Sequence, residues 1–254
     1  MAISYDEAIG IAQKFAKELS QKFGSKLLAV FAIGSLGCDY YRPGQSDIDT
    51  AIITSCDRNE VAKIDTEVEG IANRYWKEYD IPKGFGAIVF AEEQLYPPYV
   101  PTEELILEIL RLKTQSKLIY GCYDTENIPL PSKQAIIDNE NAFEDWVESS
   151  MEKDNVNETK TCFSELDKQV FINCVLWHIK RYLMIKCDII EFNKFKVIDL
   201  YLQNNPPIVN YEAFDIINKA LNNGYDVLSN EHLQRLDKWR KDFRIHMLKI
   251  VLNR

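Results

Sequence analysis

Over the first two dozen residues, apolar side chains return at the spacing of one helix face: Ala8, Ile11, Ala12, Phe15 and Leu19, with lysines and acids between them. The pattern predicts an amphipathic helix over 5–23. Past Gly24 a continuous apolar run, LLAVFAI (Leu27–Ile33), closes at Gly34, and a second, AIIT at 51–54, continues the segment SDID. Apolar runs of this length bounded by turn residues read as buried strands. Helical spacing returns over 59–79. GFGAIVFA at 84–91, set between Pro82 and the turn-rich YPPYVP, reads as another strand. The order helix, strand, strand, helix, strand predicts a small unit of sheet and helix.

From residue 103 the texture changes to long helical stripes. They predict helices over 103–119, 134–151, 165–187, 194–204, 211–223 and 230–252, punctuated by Pro129, Pro131, Pro206 and Pro207. No strand is expected after residue 103. The predicted architecture is α+β: a mixed β-sheet domain with flanking helices over 1–130, then an all-α helical bundle over 131–254 that completes the substrate cleft.

At 254 residues with 46% apolar content, the chain suffices for packed cores, and it shows neither low-complexity tracts nor internal repeats. The opening MAISYDEAIG does not read as a secretory signal, and no uncharged apolar window reaches the roughly 20 residues that span a bilayer. These features predict a cytoplasmic protein with no membrane partner. Cys38, Cys56, Cys122, Cys162, Cys174 and Cys187 form no CxxC pair, which points to reduced structural thiols rather than a zinc knuckle or a disulfide scaffold. His178 and His232 lack a Cys or His at ligand spacing, so no transition-metal site is expected. The net charge of −9 disfavours nucleic acid, whose phosphates need Lys and Arg. It suits a cationic substrate and serves equally as a solubility device. The oligomeric state is not legible.

The chemistry sits in FAIGSLGCDYYRPGQSDIDTAII, residues 31–53. One buried strand ends at Gly34-Ser35 and another begins at Ser46-Asp47-Ile48-Asp49. Residues two apart on a strand point the same way, so Asp47 and Asp49 share a face while Ile48 enters the core. Two converging carboxylates repel, and a hard divalent cation relieves them; magnesium also keeps substrate phosphates in its shell. Gly34 admits a close approach of backbone amides to phosphate, and the Ser35 hydroxyl donates to terminal phosphates. A lone DxD is usually a solvated strand end. The preceding strand, the Gly-Ser turn, the spacing of some ten residues and the following AII set this one apart.

This combination resembles the signature of polymerase-beta-like nucleotidyltransferases. More of the chain is similar to the streptomycin/spectinomycin adenylyltransferases, which transfer AMP from ATP to an aminoglycoside hydroxyl with release of pyrophosphate. The likeness runs through YPPYVP, ILRLKTQSKLIYGCYDTENIPLPS, DKQVFINCVLWHIKRYLMI (167–185), NKFKVIDLYLQNNPP (193–207) and NNGYDVL. It implies an enzyme of antibiotic resistance that takes ATP with two Mg2+ ions and a small cationic hydroxylated acceptor. Gly34, Ser35, Ser46, Asp47 and Asp49 are then expected to bind nucleotide and magnesium, with Asp47 and Asp49 catalytic, Lys194 reaching the phosphates, Tyr225 at the nucleotide and Asp167 facing the drug. Each has a plainer reading: Lys194 a solvated lysine, Tyr225 a packing residue, Asp167 a first-turn acid favoured by the helix dipole. Trp177 is expected in the core.

The resemblance fails at two positions. The family's general-base glutamate on the strand after the paired acids aligns with Gly86, and its asparagine in the interdomain helix with Val170. Asp80, Glu92 and Glu93 remain alternatives for the missing acid. A lost base costs on the order of 10²–10⁴-fold in rate, so a nucleotide-binding protein with lost or altered catalysis is a second expectation. A third is modification of a protein side chain, or a toxin-like nuclease carried by Arg240 and His246, residues whose ordinary place is the wet face of a long helix.

Overall fold

The computed structural model describes residues 2–38, 40–102, 105–153, 164–204 and 206–251. The chain divides into two compact units, one formed by Met1–Val100 with Leu105–Pro131, the other by Pro101–Glu104 with Ser132–Arg254.

The first unit opens with helix α1 (Tyr5–Phe23), fixed by a capping box: Glu7 N–H donates to the Ser4 hydroxyl and Ser4 N–H to the Glu7 carboxylate. Strands β1 (Leu27–Ile33), β2 (Ile48–Thr54) and β3 (Phe85–Ala91) follow, with the single turn α2 (Gly34–Gly37) between β1 and β2 and helix α3 (Arg58–Glu78) between β2 and β3. Helix α4 (Leu105–Thr114) leads into β4 (Ser116–Gly121). The sheet order is β3-β2-β1-β4, antiparallel except for the parallel pair β2–β3. This is the mixed sheet with flanking helices expected from the sequence.

β4 corrects the expectation of an uninterrupted helix over 103–119 and of no strand beyond it. The helix stops at Thr114, and SKLIYG pairs with β1 at the sheet edge.

The continuous apolar run of β1 is explained by cover on both faces of the sheet. Val30 and Ala32 pack with Phe15 of α1 and Val68 of α3, whereas Ala29, Phe31 and Ile33 pack with Ile109 and Leu112 of α4. β2 divides in the same way: Ile48 and Ile52 face α1 and α3, Ala51 and Ile53 face α4. Asp49 has the parity of Ala51 and Ile53, which aims it toward α4.

The described part of the second unit is helical: α5 (Lys133–Asp138), α6 (Glu140–Lys153), α7 (Glu165–Tyr182), α8 (Val197–Gln203), α9 (Tyr211–Asn223) and α10 (Asn230–Val251). The stripe over 134–151 is split at Asn139, and α7 runs on into a wider turn at Leu183–Cys187. Tyr201, Phe214, Trp239 and Phe243 cluster in its core, mostly edge to face, and Trp177 packs edge-on to Phe192 as expected of a core residue.

The core also holds ionic groups. Arg181 pairs with Glu140 and donates to Ile136 O; Glu144 meets Arg244 at 3.0 Å and His178 at 3.5 Å; Arg240 pairs with Asp237 at 3.1 Å. Arg240 is buried, not on a wet face as its helical position suggested, because the acids of its own helix and of α6 compensate its charge inside the bundle. Among the described residues no helix is long and apolar enough to cross a membrane and no two cysteines form a disulfide; Cys162 lies outside them.

Candidate active site

β1 ends where Gly34 takes a left-handed φ of +62°. The positive φ is strained for any other residue, and a Cβ there would also push the Arg111 guanidinium aside and crowd Asp49 Oδ2 at 3.1 Å. The chain turns through α2 and returns by a loop in which Arg42 N–H donates to the Ser46 hydroxyl at 3.0 Å and Ser46 N–H to Arg42 O at 2.9 Å. Ser46 is therefore buried and engaged in closing this loop, one residue before Asp47.

β2 then sets Ile48 fully in the core and leaves Asp47 and Asp49 half-exposed on either side of it, the alternation that an extended chain requires. Across the ladders Asp49 stands between Ile33 and Gly86. The Gly-Ser turn, which follows Ile33 directly, is thus brought to the end of β2 that carries the carboxylates. Ser35 is buried and its hydroxyl has no hydrogen-bond partner among the described residues. A buried hydroxyl without a partner is costly, and such groups in a native fold usually await a ligand or water.

A cation that the sequence reading missed enters from α4. Arg111 Nη2 donates to Asp49 Oδ2 at 2.7 Å and Nη1 to Glu108 Oε2 at 3.3 Å. The Arg111 side chain is 17% exposed. Burial opposes its charge, but Glu108, Asp49 and Tyr40 outweigh it and hold the guanidinium more firmly protonated than usual. The Tyr40 phenol is pushed up by burial, against the pull of Arg111 and with Cys38, Asp49 and Asp47 adding to the shift. Tyr41 is raised by burial, then by Asp47 and Glu7. In the sequence, the only signal of this cluster is two opposite charges three residues apart inside the otherwise apolar stripe LILEILRLK.

The alternatives for the missing acid lie elsewhere. Glu92 and Glu93 follow the end of β3 that pairs with Thr54, five strand positions past Gly86, and Glu93 pairs with Arg58 at 3.4 Å. Asp80 lines a separate hollow with Ala2, Ile3 and Lys14.

The remaining site residues belong to the second unit. Lys194 Nζ lies 3.5 Å from the Tyr225 hydroxyl, so these two are brought together, and Tyr225 is buried. Asp167 closes a capping box on α7, its Oδ2 accepting from Ser164 N–H at 2.6 Å.

Asp47 and Asp49 offer hard oxygen donors beside an unsatisfied buried hydroxyl, a set that fits one divalent ion and phosphate oxygens. It does not extend further: among the described residues no three His, Cys, Asp or Glu side chains gather at one point.

A family model described as "Nucleotidyltransferase domain" matches residues 12–120, from within α1 to the end of β4. The chain carries a nucleotidyltransferase domain. Its fold is similar to that of a spectinomycin adenyltransferase from Enterococcus faecialis solved with ATP and spectinomycin, at 15% identity and a TM-score of 0.59 over 93% of this chain and 99% of that one. A toxin–antitoxin structure with AMP-PNP matches at 14% identity over 57% of this chain and 94% of that one, with a TM-score of 0.26. No curated protein matches the sequence. The nucleotidyltransferase domain thus spans the Gly34-Ser35 turn, Asp47, Asp49, Gly86 and Arg111 alike.

Proposed function

We propose that the protein is an ATP-dependent adenylyltransferase whose acceptor is the hydroxyl of a small, cationic, aminoglycoside-like molecule. The observation that carries this reading is the juxtaposition of Asp47 and Asp49 with the Gly34-Ser35 turn inside a nucleotidyltransferase domain. Asp47 and Asp49 would hold magnesium, which neutralises phosphate oxygens and assists the departure of pyrophosphate. The Ser35 hydroxyl and the amides after Gly34 donate to the outer phosphates and fix the triphosphate in line for attack. The acceptor oxygen bonds to the α-phosphorus, the bond from that phosphorus to the bridging oxygen breaks with its electron pair leaving on pyrophosphate, and the acceptor proton passes to solvent water. Lys194 and Tyr225 are assigned to the nucleotide and Asp167 to a cationic group of the acceptor, on the resemblance stated above. A cytoplasmic site of action accords with the use of ATP.

Incubation with ATP, Mg2+ and a broad panel of aminoglycosides and aminocyclitols, read by mass spectrometry, tests this proposal. A product heavier by one AMP supports it; its absence across the panel, with pyrophosphate still released, points to another acceptor, a protein side chain included.

Gly86 favours a second reading, a nucleotide-binding protein without efficient turnover, because no acid stands at the position aligned with the family's base. Calorimetric binding of ATP·Mg2+ with no pyrophosphate release under any acceptor would select it.

A further inference from the structure

Asp49 is flanked by Arg111 and Gly86. Its Oδ2 is held by Arg111 at 2.7 Å, and its Oδ1 lies against Gly86, where an added Cβ would stand only 2.5 Å away. The guanidinium also lies against Gly34, so closely that a Cβ there would overlap Nη2. Arg111 therefore sits between the Gly34-Ser35 turn and the carboxylate of β2. Glu108 holds its other terminal nitrogen at 3.3 Å and fixes the fork from behind. The donor set agrees with the geometry: Asp49 already has one oxygen engaged by the guanidinium, and among the described residues no third His, Cys, Asp or Glu joins the pair, which is short of what two divalent ions require.

We propose that the Arg111 guanidinium takes the place of one divalent cation in this site, donating to triphosphate oxygens directly, so that nucleotide is bound with one metal ion rather than two. The inference rests on the nucleotide-binding reading above and deepens it. A guanidinium is suited to the exchange: it is permanently charged, its planar fork matches phosphate oxygens, and it is more weakly hydrated than an ammonium. On nucleotide binding, the Arg111–Asp49 contact loosens or is shared, and Nη2 turns its hydrogen toward the phosphates while Nη1 stays on Glu108. An arginine, unlike a metal ion, is not removed by a chelator. Nucleotide affinity should consequently survive chelation to an extent set by Arg111.

The full-length protein is titrated with α,β-methylene-ATP, which cannot be cleaved at the reacting bond, in Mg2+ and in EDTA, and bound ions are counted by electron paramagnetic resonance with Mn2+. One Mn2+ per protein–nucleotide complex is expected, with an affinity in EDTA that falls by less than about 30-fold, the range that charge-assisted hydrogen bonds to one residue can hold. Arg111→Ala should weaken binding in EDTA by a further ~10- to 100-fold, with Arg111→Lys between the two. Two Mn2+ ions in the wild-type complex, or Arg111→Ala binding in EDTA as the wild type does, overturns the proposal while leaving the nucleotide reading in place. If neither buffer supports any binding, both fall. Should Arg111→Ala fail to fold, as judged by circular dichroism, the ion count on the wild type decides by itself.

Discussion

At position 86 β3 carries a hydrogen where any side chain would be driven into the Asp49 carboxylate, and at position 34 the turn carries one where a side chain would strike Arg111. Both glycines make room for charged groups. Gly86 is therefore more than a deleted glutamate, and Gly86→Glu should not restore a base. It should displace Asp49 and lower triphosphate affinity by about tenfold or more, the scale of losing one charge-assisted contact. A rise in pyrophosphate release by this variant would contradict the account. Ser35 gives the complementary case, because its buried hydroxyl lacks a partner among the described residues. An unsatisfied buried hydroxyl costs about 1–3 kcal/mol, so Ser35→Ala should leave the melting temperature unchanged or raised while nucleotide affinity falls. A fall in both, measured by thermal melts and calorimetry, would mean that the hydroxyl supports the fold rather than the ligand.

Helix α6 brings Glu144 into the bundle core against His178 of α7 and Arg244 of α10, with Glu140 and Glu148 on its own helix and Arg240 opposite. Burial raises the Glu144 carboxyl to about 7, opposed by Arg244 and Arg240 and assisted by Glu140 and Glu148. The folded state therefore holds this proton more tightly than the unfolded chain, and the stability so gained is lost as pH rises from the usual 4.5 through about 7. His178 acts in the opposite sense. Burial, then Arg240, Arg181 and Arg244, push it well below 6.5, so its contribution is present above that pH and lost as pH falls. Glu144→Gln imitates the protonated acid at every pH. Thermal melts should find it close to wild type at pH 4.5 and increasingly more stable toward pH 7.5, by up to about 3 kcal/mol for a shift of this size. A difference independent of pH would contradict the titration of Glu144.

The same elements show what the sequence could reveal. The run LLAVFAI betrayed β1 because cover on both sheet faces leaves no polar alternation to confuse with a helix. SKLIYG hid β4 because an edge strand paired only with β1 needs no such run, and its residues extend the stripe of α4. Asp47, Asp49 and the Gly-Ser turn were legible because one short segment holds them. Arg111 was not: it reaches Asp49 from 62 residues away, and only the tertiary fold brings α4 over that face of β2.

On the scale of the whole molecule, the net charge of −9 sets the long-range field that any acceptor meets. A cationic acceptor is attracted and a polyanion repelled, and salt screens this field over about 10 Å at 0.1 M. For a cationic acceptor KM should rise with ionic strength while kcat holds nearly constant, and a KM indifferent to salt would remove charge from the account of acceptor choice. The proposed function requires that the domain binds a triphosphate where β1 and β2 bring the Gly-Ser turn beside the paired acids. Calorimetric titration of α,β-methylene-ATP with Mg2+ into the wild type and Asp47→Asn tests that claim most directly. Binding by the wild type and a loss of at least about tenfold in the variant, which keeps size and removes one charge, is the predicted result. Equal affinity in the two proteins, or none in the wild type, would contradict it.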